Sequence, residues 1–303
     1  MSNNSMLLKQ FENHLRLERA LAENSILAYR QDLQKLNSFL KNNSNNSSFK
    51  NLPIETIEYF LKFLHDIGLA ERSQSRILSA LKTFYRFLND EEITDHNPVE
   101  LLTSPALGRK LPTVLSFEEI EQLTNSVDLS IPEGTRNRAI LEVLYGSGLR
   151  VSELTNLKLS NCYPELQLLK IMGKGNKERL VPLHQEAWHY LELYTENIRR
   201  FQKIQKNNED FVFLNRRGKV LSRVMIFMIV KNIAKTAGLE KNISPHTFRH
   251  SFATHLVEGG ADLRAVQELL GHESILTTEI YTHLDIQFLQ DTIQSYHPRN
   301  TKN

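Results

Sequence analysis

Apolar residues recur at helical spacing through most of the chain. After Asn24-Ser25, the positions Ile26, Tyr29, Leu33, Leu36 and Leu40 fall three or four apart, which predicts an amphipathic helix with Ser25 near its start. The polar run from Asn42 to Ser48 reads as a loop. Pro53 opens a second periodic segment, IETIEYFLKFLHDIG, that closes near Gly68. Ser73 is placed to cap a third, SQSRILSALKTFYRFL. On that helix Ile77, Leu81, Phe84 and Leu88 share one arc, and Arg72, Arg76, Ser79, Lys82 and Arg86 share another. The basic arc has two readings: a face laid against phosphates, or a solvated helix face.

Two prolines and a glycine punctuate Ser104 to Pro112, together with the adjacent cations Arg109 and Lys110. The domain boundary is placed here, with a first domain over 1–106, a linker over 107–114 and a second domain over 115–303. Ser116 with Glu119 forms a capping box ahead of IEQLTNSV, and a further helix runs through Arg136 to Tyr145 and ends at Gly146. LQLLKIM and ERLVPL alternate as strands around Gly173-Lys174-Gly175-Asn176-Lys177, a β-hairpin. From Ser222 onward the pattern is helical again. The predicted fold class is mainly α with a small antiparallel β-sheet, in two domains.

The 303 residues suffice for two domains with substantial cores, at 40% hydrophobic and 24% charged. The single cysteine, Cys162, excludes a disulfide framework and a cysteine-based zinc site. The N-terminal sequence lacks the basic start and apolar core of a secretory signal, and no apolar run approaches the roughly 18 residues of a membrane helix. A soluble cytoplasmic protein without membrane contact is expected. Net charge is only +2, with 12 Lys+Arg against 13 Asp+Glu in residues 1–106 and 25 against 22 in the remainder. Any nucleic-acid contact must therefore come from the placement of cations, not from their excess.

Four segments of the second domain concentrate groups suited to phosphate. GSGLRVSEL places Arg150 after a glycine-rich turn at a helix start, three residues from Glu153. A guanidinium fork matches phosphate oxygens, and a surface ion pair is the alternative for this pair. In the hairpin turn GKGNK, Lys174 stands between two glycines, where it either reaches a cleft as a proton donor or stays solvated. In SPHTFRHSFATHL, Ser244 and Pro245 start a helix whose first turn carries His246 and Arg249, where free N–H groups already favour an anion. Phe248, Phe252 and Leu256 form its buried face, and His250 and His255, outside any HExxH pattern, read as surface or packing residues. In LLGHESILTTEIYTHL, Gly271 ends one helix, His272 lies in the turn, and Ser274 caps a helix carrying Tyr281.

Taken in order, GLRVSEL, GKGNKERLVPL, HTFRHSFATHL and LLGH…TTEIYTH resemble the motifs of the tyrosine recombinase (phage integrase) family, most closely its bacterial XerC/XerD type. The likeness extends over AYRQDLQKL, the KLP of the linker, and His297-Pro298-Arg299. It implies an N-terminal SAM-like core-binding bundle and a C-terminal catalytic domain that form a C-shaped clamp on DNA. By position, it assigns Arg150, His246, Arg249 and His272 to the phosphate, Lys174 to the hairpin lysine with Lys177 as the alternative, and Tyr281 to the nucleophile.

The implied chemistry is attack by the Tyr281 oxygen on a DNA phosphodiester, giving a 3′-phosphotyrosyl link and a free 5′ hydroxyl. Phenol has an ordinary pKa near 10, so a base or a strongly positive pocket is needed. The covalent link conserves the phosphodiester energy, so no cofactor, ATP or metal is expected. The sequence accordingly has no Walker motif or Mg²⁺-type carboxylate cluster. Arg72, Arg76, Lys82, Arg86, Arg109 and Lys110 are the expected backbone contacts. The resemblance further implies a double-stranded recombination site as partner, and a cyclic tetramer on two such sites built through a C-terminal docking tail containing Ile286, Phe288, Leu289 and Ile293. That tetramer is a heterotetramer if a paralogous recombinase takes part, and a septal DNA translocase would regulate it. Chromosome-dimer resolution at division is the implied role. The alternatives are a mobile-element integrase or transposase, a type IB topoisomerase and a non-catalytic DNA-binding regulator. For the tail, the alternative is a helix packed on its own domain.

Overall fold

Hydrophobic positions gather into two separate cores, and the chain divides accordingly into two units, Met1–Lys110 and Leu111–Asn303. The computed structural model describes residues 3–43, 48–104, 113–173, 178–271 and 283–301.

The first unit consists of α1 (Asn3–Leu17), α2 (Glu23–Asn42), α3 (Ile54–Asp66) and α4 (Glu71–Asp90). Each helix turns an apolar stripe inward, so that Phe11, Leu15, Leu33, Leu36, Phe60, Phe84 and Leu88 are buried together. Phe84 meets Phe11 edge-on at 5.2 Å and Phe49 at 5.4 Å between centroids. The buried Tyr85 hydroxyl donates to the Phe49 carbonyl oxygen at 2.9 Å, so its burial leaves no unpaired donor. Two helix starts differ from expectation. α2 and α4 begin before Ser25 and Ser73, with Ala22 and Ala70 at their N-caps and no side-chain cap bond. At α4 the Gln74 amide instead donates to the Leu69 carbonyl at 2.7 Å, fixing the chain's entry from a different position.

The second unit begins with α5 (Phe117–Asn125), whose Ser116–Glu119 capping box is formed as expected. Then follow α6 (Pro132–Ser147), α7 (Val151–Thr155), β1 (Cys162–Tyr163), β2 (Leu168–Met172), β3 (Glu178–Pro182) and α8 (Gln185–Asn197). The chain continues through α9 (Arg223–Thr236), α10 (Pro245–Gly259), α11 (Leu263–Leu270), α12 (His283–Tyr296) and α13 (Pro298–Thr301). α6 is buried almost all round and packs against α8 and α10, which makes it the axis of this unit. It runs past Gly146 to Ser147, and Gly148, at φ +58°, is the left-handed C-cap. The antiparallel sheet has the order β1-β2-β3, with Leu169 opposite Val181 and Ile171 opposite Arg179. By strand alternation Arg179 shares the inward face of β3 with Val181, and both are buried.

The C-terminal helices close this same core. Leu289 and Ile293 of α12 are buried in it, while Phe288 is half exposed. Arg299 of α13 reaches inward, with Nη2 3.0 Å from Glu142 and Nη1 3.0 Å from Glu186. Glu142 also accepts from Arg138 at 2.9 Å. The His297 ring is fully buried, stacked on His184 at 4.8 Å and tilted against Tyr145 at 4.7 Å. Within the single chain the segment expected to dock on a neighbour is thus seated on its own unit.

Candidate active site

The glycine turn after α6 and the short helix after it place Arg150 at the N-cap of α7, and α10 carries Arg249 in its first turn. These residues are 99 positions apart in sequence, yet both are held by the end of α11. Arg249 donates from Nη2 to the Leu270 carbonyl at 2.6 Å and from Nη1 to the Gly148 carbonyl at 2.7 Å. Arg150 donates from Nη2 to the Gly271 carbonyl at 3.3 Å. Gly271 adopts φ +62°, the left-handed cap that lets α11 stop here and turns its last carbonyls toward the two guanidinium groups.

A third guanidinium lies beneath them. Glu153 accepts from Arg150 through both its backbone N–H (2.8 Å) and Nη1 (2.9 Å). The same carboxylate accepts a bidentate pair from Arg179, at 2.8 and 2.9 Å. Burial opposes ionisation of Glu153, but the bonds and charge of Arg179 and then of Arg150 hold its carboxyl below the usual range. Arg179 also donates from Nε to the Leu269 carbonyl at 3.3 Å. Three guanidinium charges against one carboxylate leave the cluster with a surplus of two positive charges, an environment built for an anion. Burial, followed by repulsion from Arg150, brings Arg249 down to about 10, so it remains charged at neutral pH.

His246 lies at the surface one turn from Arg249. Partial covering of its ring, and then the charges of His250, Arg249 and Arg150, lower its pKa. Its imidazole is therefore neutral at pH 7 and able to accept a proton. His250 is exposed, whereas His255 is buried, its Nδ1 2.8 Å from the Tyr145 hydroxyl. The structure thus brings together Arg150, Arg249 and His246.

Lys174, Lys177, His272, Ser274, Tyr281, Arg109 and Lys110 lie outside the described residues. The described chain stops at Gly173 on one side of the hairpin tip and at Gly271 on the other side of the cluster. In the first unit, Arg72, Arg76 and Arg86 are exposed along α4 and Lys82 is half-buried. Arg76 pairs at 2.9 Å with the fully buried Asp32, and Lys82 Nζ lies 3.4 Å from the Glu100 carbonyl.

Sequence reading missed Arg179. The signal available was its place on the inward face of β3, which it shares with the apolar Val181 and where a cation requires a buried partner.

Guanidinium groups converge beside two helix ends on a helical unit with one small sheet, and such forks match the oxygens of a phosphate. The phage integrase family matches residues 113–287, and the phage integrase N-terminal SAM-like domain matches residues 8–92. The chain is 41% identical over 293 residues to the tyrosine recombinase XerD of Listeria innocua serovar 6a, covering 97% of this chain and 99% of that one. It is 42% identical over 299 residues to the tyrosine recombinase XerD of Chlorobaculum tepidum, covering 96% of each. It also resembles the XerH site-specific recombinase bound to palindromic difH substrate in a post-cleavage complex. There the TM-score is 0.69 and the identity 27%, over 95% of this chain and 84% of that one. The chain belongs to the phage integrase family of tyrosine recombinases, and it is a site-specific DNA strand transferase of that class.

Proposed function

We propose that this enzyme cuts and rejoins double-stranded DNA at a specific site through Tyr281. The observation that carries this reading is the shared anchoring of Arg150 and Arg249 on the carbonyls of Gly271 and Leu270, immediately before the segment that contains His272 and Tyr281. The two guanidinium groups hold the non-bridging oxygens of the phosphate, where negative charge grows as the reaction proceeds. The Tyr281 oxygen attacks phosphorus in line, forming the 3′-phosphotyrosyl bond as the bond to the 5′ oxygen breaks. His246, neutral at pH 7, accepts the phenolic proton, and Lys174 supplies a proton to the departing 5′ oxygen. His272 donates a further hydrogen bond to the phosphate. Attack by a 5′ hydroxyl of a second duplex reverses the step and completes strand exchange.

Arg72, Arg76, Lys82 and Arg86 on α4, with Arg109 and Lys110, contact the DNA backbone and set position and salt dependence. The identity with XerD proteins over nearly the whole chain supports a housekeeping role, resolution of chromosome dimers at cell division. In that role the enzyme works in the cytoplasm as a tetramer on two sites, with α12 and α13 exchanging from their own unit to a neighbour.

The test is a nicked suicide substrate. The wild-type protein is expected to form a DNA adduct that survives denaturing electrophoresis. Tyr281→Phe is expected to bind the same DNA and form none. An adduct with the phenylalanine variant would remove Tyr281 from its role, and a wild-type protein that binds but never forms an adduct would remove the strand-transfer reading of this chain.

A further inference from the structure

The geometry points to Arg179 as a positioning residue that frees Arg150 for the phosphate, an inference that rests on the strand-transfer reading above. Glu153 is almost fully buried and lies on Arg150 at 2.9 Å. If Arg150 were its only partner, that carboxylate would cancel the charge of Arg150 and draw its fork inward, away from an incoming anion. Arg179 prevents this. Its two terminal nitrogens take one Glu153 oxygen each, at 2.8 and 2.9 Å, in the parallel fork that makes such pairs strong. The neutralising charge comes from Arg179, itself buried, while the Arg150 side chain remains about one-third exposed, at 35%. Arg150 therefore faces the solvent side of the cluster with its charge available.

Arg179 also joins three pieces of the site. It stands at the base of the hairpin whose tip contains Lys174, it bonds the carboxylate that orients α7, and its Nε reaches the Leu269 carbonyl at the end of α11. Its guanidinium passes so close to Gly271 that a Cβ there would lie 3.1 Å from its Cδ, Cζ and Nε atoms. A lysine in this position keeps the charge but loses the planar fork that spans both carboxylate oxygens.

The experiment compares adduct formation on the suicide substrate by the full chain carrying Arg179→Met, Glu153→Gln, or both. DNA affinity and thermal unfolding are measured alongside. Arg179→Met is expected to slow adduct formation by about tenfold or more while DNA affinity changes far less. Adding Glu153→Gln, which removes the carboxylate charge that Arg179 neutralised, is expected to restore adduct formation about fivefold or more above the single variant. A residue that only stabilised the fold would give a double variant no faster than Arg179→Met. That result, or an unaltered rate in Arg179→Met, overturns the inference. Should Arg179→Met fail to fold, Arg179→Gln, which also removes the charge, is read with and without Glu153→Gln by the same criterion. A wild-type protein without adduct removes the strand-transfer reading and this inference with it. A wild-type adduct with no rescue removes the inference alone.

Discussion

Replacing Gly148 by alanine tests the link between backbone conformation and the arginine cluster. Gly148 caps α6 at φ +58°, where an L side chain costs about 1–2 kcal/mol. An added Cβ would also lie 2.5 Å from Phe252 Cδ1 and 2.9 Å from its Cε1, against a ring that is fully buried and has little room to move. Overpacking of this kind costs about 1–3 kcal/mol, so the substitution should remove about 2–5 kcal/mol in all. That is a large share of the roughly 5–15 kcal/mol of an ordinary domain. Catalysis should suffer as well, because the Gly148 carbonyl accepts from Arg249 at 2.7 Å and any shift of the turn tilts that guanidinium. A tilt that costs about 1.4 kcal/mol in the transition state slows adduct formation about tenfold even in fully folded protein. Urea unfolding of the full chain, read on the transition of the C-terminal unit, gives the first quantity. The adduct rate at low temperature gives the second. Gly238→Ala is the control, since Gly238 shares a positive φ of +71° but a Cβ there meets nothing within 4 Å, so it should show the conformational cost alone. Equal losses at the two glycines would refute the packing argument, and an unaltered adduct rate in folded Gly148→Ala would refute its coupling to Arg249.

Other outcomes follow from the same contacts. Burial holds His297 at about 3, so the folded chain leaves this ring neutral while the unfolded chain protonates it near 6.5. Its contribution to stability is complete above pH 6.5 and is lost as pH falls from there toward 3. At pH 5.5 the loss is about 1.4 kcal/mol, and chemical denaturation from pH 5 to 8 should show a shallower slope for His297→Phe than for wild type. Identical slopes would contradict the buried neutral ring. In the N-terminal unit, Arg86→Ala should weaken DNA binding about uniformly across sequences and lower the salt slope by about one, as measured by titrations at several salt concentrations. An unchanged salt slope would assign Arg86 to the solvated face.

The helices of both units were readable from periodicity because each buries one stripe or, like α6, nearly its whole surface. Their starts were less readable. Ser25 and Ser73 have the chemistry of caps, but Ala22 and Ala70 take the position; the residues added ahead of the serines are exposed, and Glu23 and Glu71 among them stand in the first turn, where the helix dipole favours a carboxylate. Ser116 succeeded because Glu119 reciprocates, and two mutual bonds outweigh such shifts. Arg150, His246 and Arg249 could be picked out because they occur in long, specific motifs. The carbonyls of Gly148, Leu270 and Gly271 that hold the guanidinium groups have no signature in sequence, because any residue carries a carbonyl and only the fold aims it. Arg179 fell between these cases. Its inward parity on β3 was visible, but the carboxylate it serves lies 26 positions away and is brought to it by tertiary packing.

Arg299 stands only four places before the last residue of the sequence, yet its guanidinium belongs to the interior of the C-terminal unit. A premature stop after Tyr296 would therefore act as a core mutation instead of a trimmed end. Among the described residues it would leave Glu142 and Glu186 sharing Arg138, with a hollow where the His297 ring packs on His184 and Tyr145. For anyone engineering this chain, library diversification of His297 and Arg299 should be approached as redesign of a packed, charged centre.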